Sequence, residues 1–198
     1  MRIKSGWFKQ GKTRTPEDIA SALAFISWRL SLNTLKNVRR SQFDVEVGLS
    51  YFSFLSEVLI FLIQISDRIA YRVFSPEERN RFTQTVARHV SDTLSSNQND
   101  LLGLDQTQAR SKFIAMLNQR AEGYAEHPYD PDDMNFGLAR YLGSLIEPIL
   151  EPKDRLWILD QIISIEAPEA ISTLERAMSR MMDPSEKSTS HSSLTEPE

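Results

Sequence analysis

Five prolines in this chain are each followed within two residues by an acid: Thr15-Pro16-Glu17-Asp18, Ser75-Pro76-Glu77-Glu78, Asp130-Pro131-Asp132-Asp133, Glu151-Pro152-Lys153-Asp154 and Ala167-Pro168-Glu169. Proline is best tolerated at the first helical position, where its missing N–H has no partner to lose. A side-chain oxygen just before it accepts from the free N–H groups of the first turn, and acids just after it face the positive end of the helix dipole. The chain marks where its helices begin, and the fold class it implies is all-α: a single-domain bundle of about six to seven helices.

Hydrophobic periodicity places those helices. The first runs from Pro16 to about Arg39, with Ile19, Leu23, Ile26 and Leu30 on one stripe and Phe25, Trp28, Leu32 and Leu35 on a second. The central helix is read over about 42–75, capped by Ser41. Its polar residues Glu46, Ser50, Ser53, Glu57, Gln64, Arg68, Tyr71 and Ser75 recur at three, four or seven, a single wet seam on a helix and a scatter over both faces of a strand. Its uninterrupted apolar run is short of the ~20 residues a bilayer span needs. A third, peripheral helix runs from Pro76 to about Ser96, with Phe82, Val86, Val90 and Leu94 inward, and Asn97 to Asp100 form a loop. The fourth covers about 105–126, with Phe113, Leu117, Ala121 and Tyr124 inward. The fifth starts at Pro131, carries Met134, Leu138, Leu142, Leu145 and Ile149, and is kinked or ended by Pro148. The sixth (about 152–165) carries Leu156, Trp157, Leu159, Ile162 and Ile163. The seventh starts at Pro168 and runs to 182. Residues 1–14 read as a flexible basic arm, 15–182 as the helical domain and 183–198 as a disordered tail.

A chain of 198 residues can bury roughly 70% of its unfolded surface, and it contains no cysteine, which removes disulfides and thiolate chemistry. Charge is uneven. Residues 1–40 carry nine Lys and Arg against two acids, a net of +7; with the whole chain at −4, the remainder holds −11. The N-terminus lacks a signal-like apolar segment, and the expected location is cytoplasmic.

Candidate sites are few. Gly6-Trp7-Phe8-Lys9-Gln10-Gly11-Lys12-Thr13 matches the pattern of a phosphate-binding loop. That mechanism needs a preceding strand and a helix opening at the Lys-Thr; five residues are too few for the strand, and the helix opens at Pro16. The segment from Glu122 to Asp133 is rich in oxygen ligands plus His127, yet Asp130, Asp132 and Asp133 are accounted for as cap and first turn of the fifth helix. His89 is expected at a helix interface with a hydrogen-bonded tip. Glu57 lies on the polar seam, where exposure or a local ion pair is expected; full burial with a raised pKa would reopen the enzyme reading.

No catalytic, cofactor or metal set emerges. The expected function is a non-catalytic protein–protein interaction or scaffold module, with a protein partner or a second copy of the chain (a homodimer) as its target. The alternative is a module tethered to an anionic surface, nucleic acid or membrane, through Arg2, Lys4, Trp7, Phe8, Lys9, Lys12 and Arg14. The third reading is a helical enzyme or carrier that binds a small ligand or metal.

Overall fold

The computed structural model describes residues 14–133 and 135–182, and every regular element among them is helical. Helix α1 (Pro16–Arg40) opens on a full capping box: Asp18 N–H donates to the Thr15 hydroxyl, and Thr15 N–H donates to the Asp18 carboxylate. Helix α3 (Pro76–Leu102) repeats the device with Ser75 and Glu78. Between them lies α2 (Leu49–Val73), followed after α3 by α4 (Gln106–Ala125) and α5 (Phe136–Ile146). Pro148 ends α5 in a short tight turn, Glu147–Ile149. The chain closes with α6 (Arg155–Gln161) and α7 (Ala167–Met182).

α2 is the axis. It contacts α1, α3, α4, α5 and α7, and Phe54, Leu55, Leu59, Ile60, Phe61, Leu62 and Ile65 are fully buried. By length and composition it could cross a membrane, but 72% of its most apolar stretch is covered by the other helices. Helix α3 is not peripheral as the sequence suggested. It lies parallel and close to α1, pinned by Glu17–Arg81 and by Ser21 Oγ to His89 Nε2 at 3.3 Å. Small buried residues on both helices (Ala20, Ala24, Ser27 and Ser31; Ala87, Ser91 and Ser95) allow that approach. Of the two stripes expected of α1, Ile19, Leu23 and Leu35 are buried, while Ile26, Leu30, Phe25, Trp28 and Leu32 are only half-buried.

Four boundaries differ from the sequence reading. α2 starts at Leu49, because residues 41–48 turn back to seat Val45 in the core. The turn uses a left-handed Gln42 (φ 69°) and Gly48 (φ 133°), a region that suits glycine. Residues 97–100 are helical, since the left-handed stop comes later, at Gly103. α5 starts at Phe136 after a turn over 130–133, so the three aspartates do not cap it. Finally, α6 and α7 are one continuous helical run broken by a wide π turn at Ile162–Glu166. Pro168 lies just inside that run; it cannot donate four residues back, and its ring would strike the Ser164 carbonyl in a regular α-helix. The widened turn, where Ala167 N–H bonds the Ile162 carbonyl, absorbs the ring. Of the apolar face expected of the sixth helix, Ile162 is buried while Leu156 and Trp157 are exposed, and Ile158 is buried beside them.

Candidate functional site

The polar side of α2 is covered along part of its length by α4. Phe113, Leu117 and Tyr124 anchor α4 against the core, which brings Arg120 over Glu57. The Arg120 Nη2 donates to Glu57 Oε1 at 2.9 Å, and Nε lies 3.2 and 3.3 Å from the two carboxylate oxygens. Glu57 is 4% exposed, so the expected exposure of this seam residue is overturned, and its ion-pair partner comes from 63 positions away. Burial raises the Glu57 carboxyl above its ordinary pKa; the hydrogen bond and charge of Arg120 recover only part of that. Beside it, Tyr124 is fully buried, stacked edge-on to Tyr141 at 4.7 Å, and its hydroxyl has no partner among the described residues. Burial and then the Glu57 charge hold that phenol well above its usual range.

This cluster meets the burial and pKa conditions that reopen the enzyme reading. Acid–base chemistry requires a proton carrier within hydrogen-bond reach of a substrate. Both Glu57 oxygens face the Arg120 fork.

One turn further along, α2 opens onto a groove of about 540 Å³ bounded by the start of α3, the end of α4 and residues 127–129. Arg68 forms its floor. Its Nη2 donates to the Tyr124 carbonyl at 2.5 Å and its Nη1 to Gln64 Oε1 at 3.3 Å, so one guanidinium adds to the His127 N–H in capping the carbonyl end of α4. Asp67 is bonded three times: by Arg79 Nε at 2.9 Å, by Arg79 Nη2, and by the Thr83 hydroxyl at 2.7 Å. Arg79 also lies over the Tyr71 ring at 4.9 Å. Tyr129 donates to Glu175 at 2.5 Å, and burial followed by that carboxylate pushes its phenol strongly upward.

The 122–133 segment is built by Asn135, a residue the sequence reading passed over. Asn135 Nδ2 donates to the carbonyls of Asp130 and Asp133 at 2.8 and 3.0 Å, and its Oδ1 accepts from Asp130 N–H at 2.9 Å. It does so in the left-handed conformation (φ 52°) that asparagine tolerates. No group of three or more His, Asp or Glu that could hold a metal occurs among the described residues. A second buried carboxylate, Glu166 in the π turn, accepts from Asn37 Nδ2 at 3.2 Å and Gln161 Nε2 at 2.9 Å; burial raises its pKa, and these two amides offset only part of that.

Of the basic-arm residues, Arg14 is half-buried and donates to the Met181 carbonyl at 3.0 Å, which ties it to the end of α7. Arg2, Lys4, Trp7, Phe8, Lys9 and Lys12 lie outside the described residues, as do the phosphate-loop-like match, Met134 and the 183–198 tail. His89 makes the interfacial contact expected of it. Comparison with known proteins returned no matching family model, no matching characterised protein and no matching solved structure.

Proposed function

We propose that this chain is a non-catalytic interaction module that associates with a second copy of itself through one end of the bundle. The observation that carries this reading is where large apolar side chains are left in water. Of the ten exposed large apolar side chains among the described residues, six, Val47 (87% exposed), Leu49, Leu101, Leu104, Leu156 (81%) and Trp157 (66%), lie where α1 and α3 finish and α2, α4 and α6 begin, while Tyr71, Val73 and Phe136 lie where α2 finishes and α5 begins. Two of the contributing segments touch: Asp44 N–H donates to Asp154 Oδ2 at 2.9 Å, holding the 41–48 turn against the start of α6. Apolar side chains gathered at one end of a bundle in this way suit an interaction surface. The neighbouring exposed charges are mixed, with Lys36, Arg39, Arg40 and Lys153 beside Asp44, Glu46 and Glu151. A rim of both signs suits a self-complementary two-fold contact better than a uniformly anionic surface.

Light scattering coupled to size exclusion tests this over a concentration series. The expected result is a dimer whose population rises with concentration and collapses to monomer in Trp157→Glu. A strict monomer at the highest soluble concentration refutes it. A second reading, tethering to an anionic surface, rests on the +7 charge of residues 1–40; it requires binding to anionic vesicles or DNA that weakens steeply with salt.

A further inference from the structure

We propose that the groove beside the C-terminal half of α2 is a binding site for a small organic anion with a planar body, the carboxylate or phosphate held by Arg72. Four lines of observation converge. The volume, about 540 Å³, is within the range of small-ligand sites. The wall carries Arg68, Arg72, Arg79 and His127 against a single acid, Asp67, whose carboxylate is already bonded three times. The groove therefore gathers positive charge in a stretch of sequence, residues 41–198, that sums to −11.

The roles within it are divided. Arg68 is spent on the α4 carbonyls and Arg79 on Asp67. Arg72 is exposed and makes no hydrogen bond or ion pair with any described residue, so its fork is free for a bidentate anion. The fourth line is the shape and chemistry of the walls. Ala121 and Ala125, one helical turn apart on α4, keep one wall low, while Tyr71 and Tyr129 supply ring faces. Tyr71 is 70% exposed and is already held from one side by the Arg79 guanidinium, which fixes its orientation. Glu126 and Asp130 are exposed on adjoining segments, and Glu175 of α7 accepts from the Tyr129 hydroxyl; none of the three is part of the wall. The site is at the opposite end of α2 from the proposed self-association surface, and the two can fail independently.

Calorimetric titration of the full chain with phenyl phosphate, inorganic phosphate and phenol separates the contributions of charge and ring. The expected result is saturable one-to-one binding of phenyl phosphate, weaker binding of inorganic phosphate and none of phenol. Arg72→Ala should weaken phenyl phosphate about tenfold, while Arg88→Ala, which removes an equal charge from an exposed site on α3, should leave it unchanged. Ala125→Leu should block binding by filling the groove with no change of charge. Absence of saturable binding overturns the site, and so does equal weakening by Arg72→Ala and Arg88→Ala, which would reduce the effect to long-range charge. Inorganic phosphate binding as tightly as phenyl phosphate overturns the planar-body part.

Discussion

Replacing Arg120 by methionine tests the energetics of the α2–α4 contact. At a charge separation of about 4 Å and an effective dielectric of about 20, its attraction for Glu57 amounts to about 4 kcal/mol. Taking two such ions out of water costs several kcal/mol each, and the raised pKa of Glu57 shows that desolvation outweighs the attraction at this site. Removing the cation alone leaves the carboxylate uncompensated, typically a loss of 3–5 kcal/mol. The Arg120 side chain is 25% exposed, so water reaches one side and about 3 kcal/mol at pH 7 is expected. The pH dependence has a definite sign. Glu57 has a folded pKa above its unfolded value, so the unfolded chain loses the proton first as pH rises, and stability falls until the folded carboxyl has also ionised. Losing Arg120 raises the folded pKa further, so the deficit grows with pH and shrinks to about 1 kcal/mol near pH 4, where the neutral carboxyl no longer needs the cation. A double variant, Glu57→Met with Arg120→Met, should return to within about 1 kcal/mol of the parent. Urea denaturation at pH 4 and pH 7 measures all three. An equal loss for Arg120→Met at both pH values, or a double variant as unstable as the single, refutes this account.

Glu166→Gln should stabilise the protein at pH 7 by roughly 0.5–2 kcal/mol, the scale of an undercompensated buried polar group. The Asn37 amide can turn over to keep its bond while the charge is lost. Because the Glu166 pKa is also raised, the gain should vanish below the ordinary carboxylate range, which thermal melts at pH 4 and pH 7 would reveal; an identical gain at both excludes a charge origin. Gly123→Ala should destabilise by about 1–3 kcal/mol through overpacking. The added methyl carbon would sit 2.1 Å from the Tyr141 hydroxyl oxygen and 2.3 Å from the ring carbon that bears it, and that ring is wedged between Tyr124 and His127. In a Tyr141→Ala background the same change should stabilise by up to about 1 kcal/mol from helix propensity. Chemical denaturation of the four variants checks the inversion, and loss in both backgrounds rules out the steric cause.

The helix starts at Thr15, Ser75 and Asp105 are legible in the chain because a cap is a local device: the hydrogen bonds that define it join residues three apart. The helical nature of α2 is legible for a similar reason, since the spacing of Glu57, Gln64, Arg68 and Tyr71 follows a helical period whatever packs against them. Where local chemistry met a distant partner, the distant partner decided. Ser41 looks like a cap, but a core position for Val45 and a carboxylate at Asp154 hold residues 41–48 in a turn instead. Pro131 resembles a helix start, but Asn135 gathers the preceding carbonyls and delays α5 to Phe136. Pro168 resembles another, and a π turn lets the helix run through it.

The candidate sites lie at the far end of that scale. Glu57 is buried only because α4 crosses it with an arginine, and the groove joins residues 64–79 to residues 121–129. Caps and periods are stabilised by interactions within a turn or two of chain, so residue order alone expresses them. Burial, charge pairing and a cavity arise from which helix faces meet, and that is set by the sum of many weak packing contacts over the whole core.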